Sequence, residues 1–174
     1  ARQKRHDVLF DALSKVSKPI KLVCLCRNSR KAKKLAAKYD VLDRVIFPGF
    51  KKNPYPWIKH AKGLVLSSDF EGFPTVLLEA LALGVNVISS DCNFGPREIL
   101  TGELAQWLVP PGDADALATK MTQYLEQEVA PPEANILGDI DSRAVALRYL
   151  QLVDNANRGD ITAEVSGVLN TLSL

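Results

Sequence analysis

Residues 64–100 read LVLSSDFEGFPTVLLEALALGVNVISSDCNFGPREIL, and this stretch decides the fold. An apolar run ending at Leu66 gives way to the polar Ser67, Ser68 and Asp69, then to a turn over Glu71, Gly72 and Phe73, and then to Pro74 and a run of helix formers. That is the pattern of a strand, a loop and a helix. Pro74 suits the first helical position, where its preset φ helps and its missing N–H has no partner to lose. The amides of Thr75 and Val76 then fall in the first turn, without intrahelical acceptors and at the positive end of the dipole, where an anion can bind. From Val76 to Leu83 only Glu79 is polar, so the spacing predicts a buried helix. Glu79 follows Thr75 by four positions and Val76 by three, which puts its carboxylate on the face that continues from those amides.

On the residues alone, two readings of each glutamate stand. Glu79 is either the partner of a Lys or Arg on a neighbouring element or an acid facing a ligand; Glu71 is either a solvated turn residue or part of the same site. Glu71-Gly72-Phe73-Pro74 followed, after four residues, by Glu79-Ala80 resembles the paired-glutamate signature of the family-four retaining glycosyltransferases, which have the two-domain GT-B fold. Asn53-Pro54-Tyr55 before the strand, and Asp91-Cys92 and Gly95 to Leu100 after it, are similar to bacterial transferases that build lipopolysaccharide, capsule or other surface glycans. The resemblance runs from about Gln3 to Thr119.

The resemblance implies a nucleotide-diphosphate-sugar donor, UDP-sugar favoured, and no metal or other cofactor. It gives Glu71 the catalytic contact with the donor sugar, Glu79 the ribose hydroxyls, and Lys4 the diphosphate together with the Thr75 and Val76 amides. Phe73 adds a sugar contact through its amide, and Phe47 and Phe50 frame the base. A hexose or N-acetylhexosamine would pass to a glycan or lipid-linked acceptor held by an N-terminal domain, which this chain is expected to lack; alone it is expected to be inactive. This sequence departs from the family in carrying Arg27-Asn28-Ser29 where a glycine pair is common.

The remaining sequence fits one main domain. At 174 residues, with 47% hydrophobic and 24% charged residues, the chain is long enough for a sizeable core. Its net charge of +2 gives no argument for nucleic acid. No apolar run reaches a membrane span of roughly 18 to 20 residues. The full enzyme is expected in the cytoplasm, with peripheral association at the cytoplasmic face of the inner membrane as its closest approach to lipid. Cys24, Cys26 and Cys92 read as reduced thiols rather than metal ligands, because no Cys or His pair sits at ligand spacing.

In chain order, apolar positions 8, 9, 12, 13 and 16 predict a helix, and strands are expected near residues 21, 44, 63, 85 and 105, alternating with helices. The expected fold is therefore α/β, an open parallel sheet, Rossmann-like, the C-terminal half of a GT-B transferase with its first strand missing ahead of the opening helix. The domain division is 1–130 for nucleotide-sugar binding and 131–174 for closing helices that pack on it or toward the absent domain. Arg97 and Glu98 are either donor contacts or, for Arg97, the partner of an acidic neighbour. Asp113-Ala114-Asp115 spells a metal-binding D-x-D, but Asp113 after Gly112 is better placed to cap a helix. His60 reads as a surface histidine.

Two rival functions fit parts of this pattern. A glycosidase would need its carboxyl groups roughly 5 to 9.5 Å apart, whereas eight helical residues span about 12 Å. The alternative from another class is a non-catalytic nucleotide or phosphate-binding module, because a sheet and an anion site alone do not make an enzyme.

Overall fold

The computed structural model describes residues 3–127 and 129–132. The expected closing helices within 131–174 lie outside the described residues, apart from 131 and 132. Five parallel strands alternate with helices: α1 (His6–Lys15), β1 (Leu22–Val23), α2 (Ser29–Lys38), β2 (Val45–Ile46), α3 (Tyr55–Lys59), β3 (Leu64–Leu66), α4 (Thr75–Ala82), β4 (Val87–Ser90), α5 (Pro96–Ile99), β5 (Leu108–Val109) and α6 (Ala114–Glu126). The ladders form two sections, β1 with β2 and β3-β4-β5 in that order. No ladder joins β1 to β3 among the described residues.

Packed side chains hold the two sections together. Helix α1 lies against both α2 and α6. Its buried Val8, Leu9, Phe10, Ala12 and Leu13 join Cys24, Val45, Ile88, Val109, Leu117 and Met121 in one cluster that takes residues from both ladders. On the opposite face, Leu77, Leu78, Ala80 and Leu81 of α4 pack with Ile58, Leu66, Val87 and Ile99. Every residue of β4 is buried, as a strand covered on both faces requires.

Caps explain three of the helix boundaries. Asn28 accepts from the Lys31 amide at 3.2 Å to open α2, and Asp113 accepts from the Ala116 amide at 2.8 Å to open α6, which is the capping role expected of it. Helix α4 ends in a Schellman turn: the Val85 amide reaches back to Ala80 O at 2.8 Å and Gly84 adopts φ +74. This turn consumes Val85, so the strand expected from Val85 begins instead at Val87. The strand expected from Ala105 is likewise shortened, because Gly102–Trp107 is a 3-10 helix. Its buried Trp107 packs edge-on against Tyr124 at 5.4 Å, an anchor that alternation of apolar residues does not reveal.

Candidate functional site

The loop after β3 and the turn before α1 are bound to each other. Lys4 Nζ donates to Glu71 Oε1 at 2.8 Å across 67 positions of sequence. The Glu71 side chain is 9% exposed, so it is not a solvated turn residue. Around this pair the Asp69 amide donates to Gln3 O at 3.0 Å, Gln3 Nε2 donates to Phe70 O at 2.8 Å, and the Ser67 hydroxyl donates to Lys4 O at 2.9 Å. Arg5 adds a second charged link through Nη1 to Asp69 Oδ1 at 2.6 Å, while its Nε and Nη2 fork onto Asp7. The Arg5 backbone is left-handed, with φ 41 and ψ 52. That conformation costs an L residue roughly 1–2 kcal/mol and persists where neighbours over-determine it.

Helix α4 begins at Thr75, one residue later than expected, with Pro74 at the N-cap and its carbonyl accepting from the Leu77 amide at 3.0 Å. Thr75 and Val76 therefore open the helix, where their amides have no intrahelical acceptor. Glu79 is 3% exposed, and among the described residues neither of its carboxylate oxygens has a hydrogen-bond partner. The ion pair with a basic neighbour that would explain it structurally is thus not formed among those residues. Burial pushes the Glu79 acid up to about 7; the Thr75 hydroxyl, near the carboxylate but outside hydrogen-bond geometry, offsets only part of the rise. A carboxylate held this way is an unused double acceptor, since buried polar groups normally have partners.

A second loop seals the first. Gly95 has φ +91, and a Cβ there would lie 2.3 Å from Pro74 Cδ and 2.9 Å from Gly72 O. Only glycine lets the loop after β4 pass this close to the turn carrying Glu71. Phe70, Phe73 and Phe94 on these two loops are exposed at 61%, 39% and 67%, leaving an aromatic rim. Arg97 reaches back onto the Asp91 carboxylate with Nε at 3.0 Å and with Nη2, so it partners an acidic neighbour; the Glu98 amide donates to Gly95 O at 3.1 Å, and its side chain forms no hydrogen bond or ion pair among the described residues.

The other expected residues lie elsewhere. Phe47 and Phe50 follow β2 in the other ladder; Phe47 packs edge-on against Phe10 and Phe50 lies under the Arg27 guanidinium at 4.7 Å. His60 is exposed and pairs with Pro56 O through Nδ1. The three cysteines are free thiols, Cys24 and Cys92 buried and Cys26 half-buried. The residues that sequence reasoning missed are Gln3, Arg5, Ser67 and Asp69. Their only signal was composition, a basic cluster at one end and a polar step after a strand, with no local spacing to connect them.

Comparison with known proteins matches this arrangement to a family. The glycosyl transferases group 1 pattern matches residues 1–139. The chain is 34% identical over 147 residues to the lipopolysaccharide 1,6-galactosyltransferase of Escherichia coli strain K12, covering 80% of this chain and 40% of that protein. It is 32% identical to the protein of the same name from Salmonella typhimurium, covering 88% of this chain and 44% of that one. The chain thus spans less than half the length of these relatives. Among solved structures, the apo lipopolysaccharide outer core galactosyltransferase WaaB superposes with a TM-score of 0.68 at 30% identity, over 90% of this chain and 45% of that one. The Anabaena protein HepE, solved with UDP-glucose, shares the fold at a TM-score of 0.72 and 18% identity, over 89% and 46% of the two chains. With the signature glutamates on an α/β frame that matches one half of GT-B chains, the chain belongs to the group 1 glycosyl transferases, family four.

Proposed function

We propose that this chain is the donor-binding half of a retaining glycosyltransferase of lipopolysaccharide or surface-polysaccharide synthesis, using a UDP-hexose or UDP-N-acetylhexosamine without a metal. The observation that carries the reading is Glu79, a buried carboxylate with two vacant acceptor oxygens one turn below the free amides of Thr75 and Val76. A vicinal pair of ribose hydroxyls supplies the two donors that such an acid needs. The galactosyltransferases among the relatives and the UDP-glucose held by HepE support a UDP-hexose.

Breaking the anomeric bond builds negative charge on the leaving diphosphate. Preorganised donors aimed at that charge lower the barrier, and here they are the Thr75 and Val76 amides and Lys4. Once Lys4 turns to phosphate, Glu71 is released to accept from hydroxyls of the donor sugar near the reacting carbon, and the Phe73 amide donates to the same sugar. The base takes the loop after β2, where Phe50 lies under the Arg27 guanidinium and Phe47 packs inward on Phe10. The acceptor, a glycan or lipid-linked saccharide, comes from the other half of the full enzyme. We place that enzyme in the cytoplasm, in peripheral association with the cytoplasmic face of the inner membrane.

The test is calorimetry of this protein with UDP-galactose, UDP-glucose, UDP-N-acetylglucosamine and a GDP-sugar. Weak binding of one or more UDP-sugars is expected, without turnover. No binding of any of them at millimolar ligand overturns the proposal. Glu79→Ala should weaken free UDP more than Glu71→Ala does; equal effects would refute the division of roles.

A further inference from the structure

Lys4 holds Glu71 at 2.8 Å, yet the function proposed above needs both residues for the donor. When a diphosphate takes Lys4, the loop bearing Glu71 loses one of its two charged ties to the turn before α1. The other tie is Arg5 Nη1 to Asp69 Oδ1 at 2.6 Å, two residues before Glu71. The remaining links, from Gln3 to Phe70 and Asp69 and from Ser67 to Lys4 O, are neutral hydrogen bonds.

We propose that Arg5 is a positioning residue that, through Asp69, keeps the Glu71 loop docked while Lys4 is engaged with the donor diphosphate. The proposal rests on the donor-site reading and extends it. Three observations support it. All three nitrogens of the Arg5 guanidinium are engaged, Nε and Nη2 on Asp7 at the start of α1 and Nη1 on the loop, so it joins two elements as a fork. The backbone at Arg5 is left-handed, a conformation that favours glycine, yet an arginine stands there. The same residue's carbonyl accepts from the Ser67 hydroxyl at 3.3 Å beside the Lys4 carbonyl, so the turn that presents Lys4 and the fork that fixes the loop are one unit.

The role separates sugar from nucleotide. Free UDP needs Lys4, the α4 amides and Glu79; the sugar of a UDP-sugar also needs Glu71 in place. Arg5→Gly removes the guanidinium but suits the left-handed backbone, so the turn before α1 keeps its course. Asp69→Ala removes the same tie from the other side and stands in if Arg5→Gly fails to fold. The measurement is calorimetry of wild type, both single variants and the double variant with UDP and with whichever UDP-sugar the wild type binds most tightly, alongside thermal melts.

Each single variant should bind the UDP-sugar about tenfold more weakly, the loss of one charge-assisted tie. Free UDP should stay within about threefold of wild type. The double variant should fall no further than the weaker single one, because both remove one link. Unchanged UDP-sugar affinity in the variants overturns the proposal, as does an equal loss of UDP and UDP-sugar, which would make Arg5 structural only. A wild type that gains nothing from the sugar also overturns it. A wild type that binds neither ligand overturns the donor-site reading itself, a distinct result.

Discussion

Glu79 makes the site sensitive to pH, and the sign can be worked out. Its folded-state acid sits at about 7, above its ordinary value of 4.5. The unfolded chain therefore gives up this proton first, and stability should fall as pH rises from about 4.5 to about 7, by on the order of 2–3 kcal/mol. Urea titrations of wild type and Glu79→Gln across that range check this: the glutamine variant should show a shallower decline. Donor hydroxyls favour the carboxylate form, so UDP affinity should rise with pH toward 7 and binding should release protons, seen as buffer-dependent heats. Glu71 works in the opposite direction on the neighbouring cation. Glu71→Gln removes the acid that holds Lys4 and should tighten free UDP about three- to tenfold, measured by the same calorimetry. Glu79 was legible in sequence because an isolated acid in VLLEALAL is anomalous on any account. The Lys4 contact with Glu71 was not, since a bond across 67 positions leaves no periodicity and only the family resemblance had assigned both residues to one donor.

Elements set where those residues stand. Helix α4 was foreseen nearly to the residue because proline, acid and apolar run all pointed the same way. The strands were less legible: the turn after α4 and the 3-10 helix before β5 each took residues that apolar patterning had assigned to strands. Local hydrogen bonds made by Val85 and the packing of Trp107 outweighed propensity there. The tightest junction between elements is Gly95 against Pro74 and Gly72. Gly95→Ala combines a disfavoured φ with a clash against backbone and a proline ring, so it should cost roughly 2 to 4 kcal/mol and push apart the turns bearing Glu71 and Phe94. Chemical denaturation gives the first quantity. Weaker UDP-sugar binding in the variant, with the fold retained, gives evidence of the second.

At the scale of the molecule, the order of elements and the parallel sense of the strands followed from alternating strand and helix patterns. The division of the sheet into two ladders did not, because pairing between strands is decided by neighbours distant in sequence. Among the described residues no ladder joins the two sections, and core packing of α1 across both spans that gap. The same helix begins at the turn that touches the Glu71 loop, and this has a practical outcome. Trypsin cuts after lysine and arginine, and Lys4 and Arg5 are adjacent targets at that turn, half-buried and engaged with Glu71, Asp7 and Asp69. Their digestion becomes a footprint of the donor site: UDP should slow scission after Lys4 by covering its ammonium, and high salt, by loosening the carboxylates, should hasten scission after both. Mass spectrometry of timed digests would read occupancy of the donor site from cleavage at the turn before α1.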